Sequence, residues 1–180
     1  MAESAFHDSS ARFPPPRCHP DTRKGVISEI MAWHYEVGKD RCGSQSYREE
    51  QVQKKPILWL HAPAGAGKSA IAQSIAEHCS GKPSSLAASF FFSRGVAERN
   101  TEKHLVATLA YQIALSIPAT KTFIENAVMD NPCIFSHSLE TQFSKLVAEP
   151  LIQSAVESLS MSQWPTLILL DGLDEWDKTI

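Results

Sequence analysis

Pro56-Ile57-Leu58-Trp59-Leu60-His61 runs directly into Ala62-Pro63-Ala64-Gly65-Ala66-Gly67-Lys68-Ser69, an apolar stretch followed by a glycine-rich octet ending in Lys-Ser. The first part reads as a buried strand and the octet as a phosphate-binding loop at its C-terminal end. Glycines let successive backbone N–H groups turn inward toward phosphate oxygens, and the helix that follows presents its positive N-terminal dipole to the same point. Lys68 is then placed to reach the β and γ phosphates, and the Ser69 hydroxyl to ligate the Mg2+ that bridges them. A nucleoside triphosphate with Mg2+ is the ligand that Ala62 to Ser69 imply.

Working outward, Lys68 to Cys79 places Ile71, Ile75 and Cys79 at i, i+4 and i+8, one apolar stripe of a helix. Ser80-Gly81-Lys82-Pro83 breaks it, and Leu86 to Phe92 reads as a second strand buried on both faces. Strand, helix, strand opens a parallel sheet, so the fold class is α/β, a P-loop NTPase three-layer sandwich. Further on, Leu105, Leu109, Ile113 and Leu115 mark a helix over about Thr101 to Ser116, ended by Pro118. Helices follow over about Lys121 to Met129 and Leu139 to Val147, separated by Asn131-Pro132 and closed by Pro150, with a short helix over Leu151 to Leu159.

Upstream, Met1 to Arg17 is polar and ends in Pro14-Pro15-Pro16, a composition that predicts a disordered lead-in. Asp21 or Thr22 can cap a helix to about Val37, with Val26, Ile27, Ile30 and Trp33 on one face. Gly38 to Lys55 is a charge-rich loop without periodicity. The division is therefore a lead-in over 1–17, an N-terminal helix and polar loop over 18–55, and a P-loop NTPase domain from 56.

A second chemical signal is Thr166-Leu167-Ile168-Leu169-Leu170-Asp171-Gly172-Leu173-Asp174-Glu175, an aliphatic run ending in acid, the Walker B form. Such a strand is buried, and the carboxylate at its C-terminal tip lies where open α/β sheets bind ligands. Asp171 is the expected metal contact beside Ser69. Glu175 is the first candidate for the general base that polarises the attacking water, and Asp174 the second.

Composition sets the limits. The 180 residues, 43% of them hydrophobic, suffice for one core. Seventeen Lys and Arg against 20 Asp and Glu give a net charge of −3, which disfavours a nucleic-acid partner. No apolar run approaches the roughly 20 residues of a membrane span, and Met1 to Ser10 does not resemble a signal peptide. Cys18, Cys42, Cys79 and Cys133 stand apart without metal-ligand spacing, as reduced thiols do, and a cytoplasmic location is expected. His61 reads as a packed or capping residue. ATP and GTP both remain open, because no guanine-specific N-K-x-D sequence is present.

The phosphate loop, Leu170-Asp171-Gly172-Leu173-Asp174-Glu175, Ser89-Phe90-Phe91-Phe92-Ser93-Arg94 and Thr108 to Pro118 together resemble a NACHT-type NTPase of the STAND class. The nearest likeness is to the nephrocystin-like N-terminal modules of filamentous fungal proteins, and it extends back to Cys18-His19-Pro20-Asp21-Thr22-Arg23. The resemblance implies a nucleotide-dependent switch in a repeat-containing signalling receptor, as in fungal self/non-self recognition or cell death. It also implies homo- or hetero-oligomers with related NACHT proteins. Ala62 replaces the usual first glycine of the loop, which is harmless where φ is negative. Asp21 stands where such proteins commonly carry Gly, and Arg23 reads first as a solvated charge.

The sequence stops five residues past Glu175, so the expectation is a partial domain truncated after the Walker B strand. In the sheet order the class implies, Ile57–Leu60 and Leu167–Leu170 would then lack their shared neighbour. A catalytically silent interaction protein, binding nucleotide weakly or pairing with full-length relatives, is the alternative function. A small P-loop kinase is disfavoured because no lid segment with clustered arginines is evident.

Overall fold

A computed structural model describes residues 1–40, 56–81, 85–158 and 161–176. Most of the predicted loop over 38–55 lies outside the described residues. Helix α1 spans Lys24–Asp40 and α2 spans Lys68–Cys79; strand β1 is Leu86–Phe91. Then come α3 (Leu105–Ser116), α4 (Lys121–Asp130), α5 (Leu139–Phe143), α6 (Glu149–Glu157) and strand β2 (Leu167–Asp171). The fold is mixed α/β around a two-stranded parallel sheet.

Every residue of β1 is buried. Ala88, Phe90 and Phe92 face a core built with Val106, Leu109, Ala110 and Ile113 of α3, Ile124 of α4, and Leu146 and Val147. Leu86 and Phe91 face the other side, where Ile71, Ile75, Ala76 and Cys79 of α2 and Met31 of α1 close over them with Leu167. Helices therefore cover both faces of the sheet, and burying each large side chain contributes about 1.5–3 kcal/mol. The i, i+4, i+8 stripe of α2 is the stripe that packs.

The two edges of the sheet differ. Along the outer edge of β1, the Gln112 amide stands in for a strand: its Oε1 accepts from Ser89 N at 3.0 Å and its Nε2 donates to Ser89 O at 2.8 Å. Ser116 Oγ donates to Ala87 O at 2.9 Å. The outer edge of β2 has no paired strand among the described residues, and Ile168 and Leu170 are 38% and 40% exposed.

Three expectations need correction. Residues 56–61, predicted as the first strand, form no strand: Ile57 and Trp59 are 80% and 67% exposed. A strand requires a neighbour to take its backbone hydrogen bonds, and none lies beside this segment among the described residues. Parallel pairing joins β1 to β2 instead, across α3 to α6.

Second, Met1 to Arg17 is not a disordered lead-in. Ala2 and Ala5 are fully buried, Ala2 N donates to Thr108 Oγ1 at 2.8 Å, and His7 N donates to Ser89 Oγ at 3.2 Å. Phe6 stacks on Tyr111 with ring centroids 6.1 Å apart. Two small side chains at the right places let this segment lie close against α3 and β1 despite its polarity.

Third, Pro150 does not close a helix. The chain stays helical from Leu139 to Glu157 because Ser144–Ala148 forms a π-helical turn just before the proline. Wider i→i+5 bonding there accommodates a residue that lacks an N–H. The start of α1 also differs from a simple cap: Thr22 Oγ1 donates back to His19 O at 2.7 Å, and Asp21 and Arg23 take φ of 68° and 60°. Glycine would adopt such a φ without strain.

Candidate functional site

The octet Ala62 to Ser69 forms a turn followed by a helix start. Ala66 N donates to Pro63 O at 3.2 Å, closing the turn. Gly65 and Gly67 sit at φ 78° and 88°, and Gly67 is the residue from which α2 departs. A Cβ at either glycine would meet nothing within 4 Å, so the backbone dihedral alone requires glycine here. Among the described residues other than glycine, only Asp21 and Arg23 have positive φ; Ala62 is thus free of the strain its Cβ could have brought.

Lys68 Nζ donates to Ala62 O at 2.9 Å and to Pro63 O at 3.4 Å, so its ammonium spans the loop from which it arises. Arg23 does more than sit in solvent: its Nη2 donates to Ala66 O at 3.0 Å, tying the start of α1 to the loop. The first N–H groups of α2, with no acceptor within the helix, open on the same side as the loop.

Across the sheet from this loop, β2 delivers Asp171. The Ser69 hydroxyl stands close enough to that carboxylate to favour its charged form. Burial pushes the Asp171 carboxyl above its ordinary value, while the nearby Ser69 hydroxyl and the Arg12 charge pull it back down. Hydroxyl and carboxylate together are hard oxygen donors of the type Mg2+ takes, and Mg2+ ordinarily needs only one or two carboxylates beside waters and phosphate. The pair fits that ion; no cluster of three or more His, Cys, Asp or Glu suited to a metal exists among the described residues.

After Asp171, Gly172 turns the chain at φ 76°, and a Cβ there would come within 3.1 Å of Phe92 O. Here both the dihedral and the space demand glycine. Leu173–Glu175 follows as a single helical turn, with Glu175 N donating to Gly172 O at 2.8 Å. The Glu175 carboxylate accepts from Arg94 N at 3.2 Å, and Arg94 Nη2 donates to Asp174 O at 2.7 Å. Asp174 and Glu175 are thereby pinned to the loop that leaves β1, close to Asp171.

Sequence reasoning overlooked Arg12. Its guanidinium lies 3.6 Å from the centroid of Phe91, the residue paired in register with Asp171. Its Nη1 donates to Phe6 O at 3.2 Å, His7 O at 3.3 Å and Gln73 Oε1 at 2.8 Å. Burial first, then the charge of Arg99, lowers its pKa to about 10. No local pattern could have revealed it, because the partners are scattered over the chain.

The sequence model of the family described as Nephrocystin 3, N-terminal matches residues 40–179. No curated protein and no solved structure matches the chain.

Proposed function

The chain belongs to the nephrocystin 3, N-terminal family, and from that premise we propose that it binds a nucleoside triphosphate with Mg2+ and hydrolyses it slowly, as the switch module of a NACHT-type signalling protein. The observation that carries this is the approach of the Asp171 carboxylate to the Ser69 hydroxyl in the first turn of α2, beside a loop that turns at Gly65 and Gly67. Two residues more than a hundred positions apart in sequence meet at the N-terminus of α2, where free backbone N–H groups favour an anion.

In this proposal the backbone of Ala62 to Gly67 cradles the phosphates, Lys68 neutralises them, and Ser69 and Asp171 hold Mg2+. The ion would supply charge neutralisation at the β and γ phosphates. Glu175, with Asp174 behind it, orients and deprotonates the attacking water. Its contact with Arg94 N holds that carboxylate at the tip of β2. Either ATP or GTP fits this residue set.

A second reading, an interaction protein without turnover, draws on the apolar side chains of Ile57, Trp59, Ile168 and Leu170 that stand exposed beside the site. Nucleotide titration followed by phosphate release separates the two. Lys68→Ala is expected to abolish binding, and Glu175→Gln to keep binding while losing hydrolysis. Unchanged affinity in Lys68→Ala would sink the loop assignment, and binding without phosphate release by the wild type would favour the second reading.

A further inference from the structure

Arg99 stands close enough to Arg12 to disfavour the Arg12 charge, and neither guanidinium has a carboxylate within ion-pair distance among the described residues. Arg12 spends only Nη1 on the fold, on neutral acceptors; its Nη2 and Nε make no hydrogen bond among the described residues. Arg99 Nε is buried with no hydrogen-bond partner among the described residues. Of the acids that act on them, Glu77 is engaged with Arg17 and Gln73 and Glu175 with the Arg94 N–H, while Asp171 lies beside the Ser69 hydroxyl. Partly desolvated like charges with free donors are costly unless an anion completes them.

Their position defines the anion. Arg12 stacks on Phe91, on the rung that ends in Asp171, and bonds Gln73, one helical turn beyond Ser69 on α2. Arg99 is carried by the loop after β1, where its carbonyl accepts from Ser93 N at 2.9 Å. Ser4 Oγ donates to Glu98 Oε2 at 3.2 Å and so joins the N-terminal segment to that loop. Arg12 thus stands beside Asp171, and Arg99 beside Glu175.

We propose that Arg12 and Arg99 form the far wall of the phosphate site and recognise the terminal phosphoryl group, making the protein selective for nucleoside triphosphate over diphosphate. This rests on the nucleotide reading above. The N-terminal segment is then a part of the site that reports whether a γ phosphate is present, since Arg12 is bonded to that segment's own carbonyls at Phe6 and His7.

The test is titration of the full chain with fluorescent diphosphates and non-hydrolysable triphosphates, in adenosine and guanosine forms with Mg2+. Wild type, Arg12→Gln, Arg99→Gln and Lys68→Ala are compared. Each arginine variant should lose about tenfold or more in triphosphate affinity, the loss of a charge-assisted hydrogen bond, and keep diphosphate affinity within about twofold. Arg99→Gln removes no hydrogen bond of the fold, so it decides the matter even where Arg12→Gln is unstable. Equal weakening of both nucleotides, or no change in either, overturns the arginine wall while leaving the loop reading intact. Wild type that binds neither nucleotide, or Lys68→Ala that binds both as wild type does, overturns the loop reading instead; in the latter case an arginine effect confined to triphosphate would still uphold the wall.

Discussion

Two short irregular segments of this protein, Met1–Arg12 and Ile57–Leu60, have opposite surroundings. The first is polar and yet anchored: Ala2 and Ala5 are fully buried, and its backbone and Arg12 bond to Thr108, Ser89 and Gln73. The second is apolar and yet bare, with Ile57 80% exposed. Burial here follows the availability of matching partners rather than the apolarity of the segment. Thr108, Ser89, Tyr111 and Gln73 offer the first segment acceptors, a donor and a ring; nothing among the described residues offers the second a ladder.

The comparison is broken most severely at Ala5. Ala5→Asp puts a carboxylate into a fully buried position, and urea denaturation should show a loss of about 3 kcal/mol or more. Next comes the edge that α3 protects. Gln112→Ala leaves the N–H and C=O of Ser89 unpaired, and a loss of about 1–3 kcal/mol is expected in the same assay. A value near zero would mean that the edge is satisfied without Gln112.

The pH dependence of the anchored segment should be smaller. Burial is the first cause lowering the His7 pKa below the ordinary 6.5. The folded state therefore holds that proton less tightly than the unfolded chain, so stability is complete above about pH 6.5 and declines as pH falls below it. His104, lowered first by burial as well, acts in the same direction. A thermal melt at pH 5.5 should fall below that at pH 7.5, and His7→Gln should narrow the gap without closing it. The smallest effect belongs to the bare segment: Ile57→Asp should change stability by no more than about 0.5 kcal/mol, as surface substitutions do. A large loss there would show that Ile57 is buried in solution.

What could be read from the sequence was local. The glycines at 65 and 67, the Ile71–Ile75–Cys79 stripe, and the aliphatic run into Asp171 each carry their signal within a dozen residues and form a turn, a helix and a strand; the strand before the loop is absent, and β2, expected to be buried, leaves Ile168 and Leu170 exposed because no strand pairs with its outer edge among the described residues. What could not be read depends on distant pairs. Arg12 finds Phe91 and Gln73, and Ala2 finds Thr108, through contacts that no window of sequence contains. Helical continuity through Pro150 was hidden for a different reason, since a π-helical turn has no residue signature as plain as the proline it accommodates. Among the candidate site residues, Lys68, Ser69, Asp171, Asp174 and Glu175 were all evident from motif spacing, whereas the arginines around them were not.

The central claim is that Ser69 and Asp171 join the phosphate loop in holding a Mg2+–nucleoside triphosphate. Calorimetric titration of wild type and Asp171→Asn with a non-hydrolysable triphosphate, with and without Mg2+, tests it most directly. The account predicts that Mg2+ tightens binding to the wild type and that Asp171→Asn abolishes most of that gain. Binding that is indifferent to Mg2+ in the wild type, or a Mg2+ gain fully retained in Asp171→Asn, would contradict it.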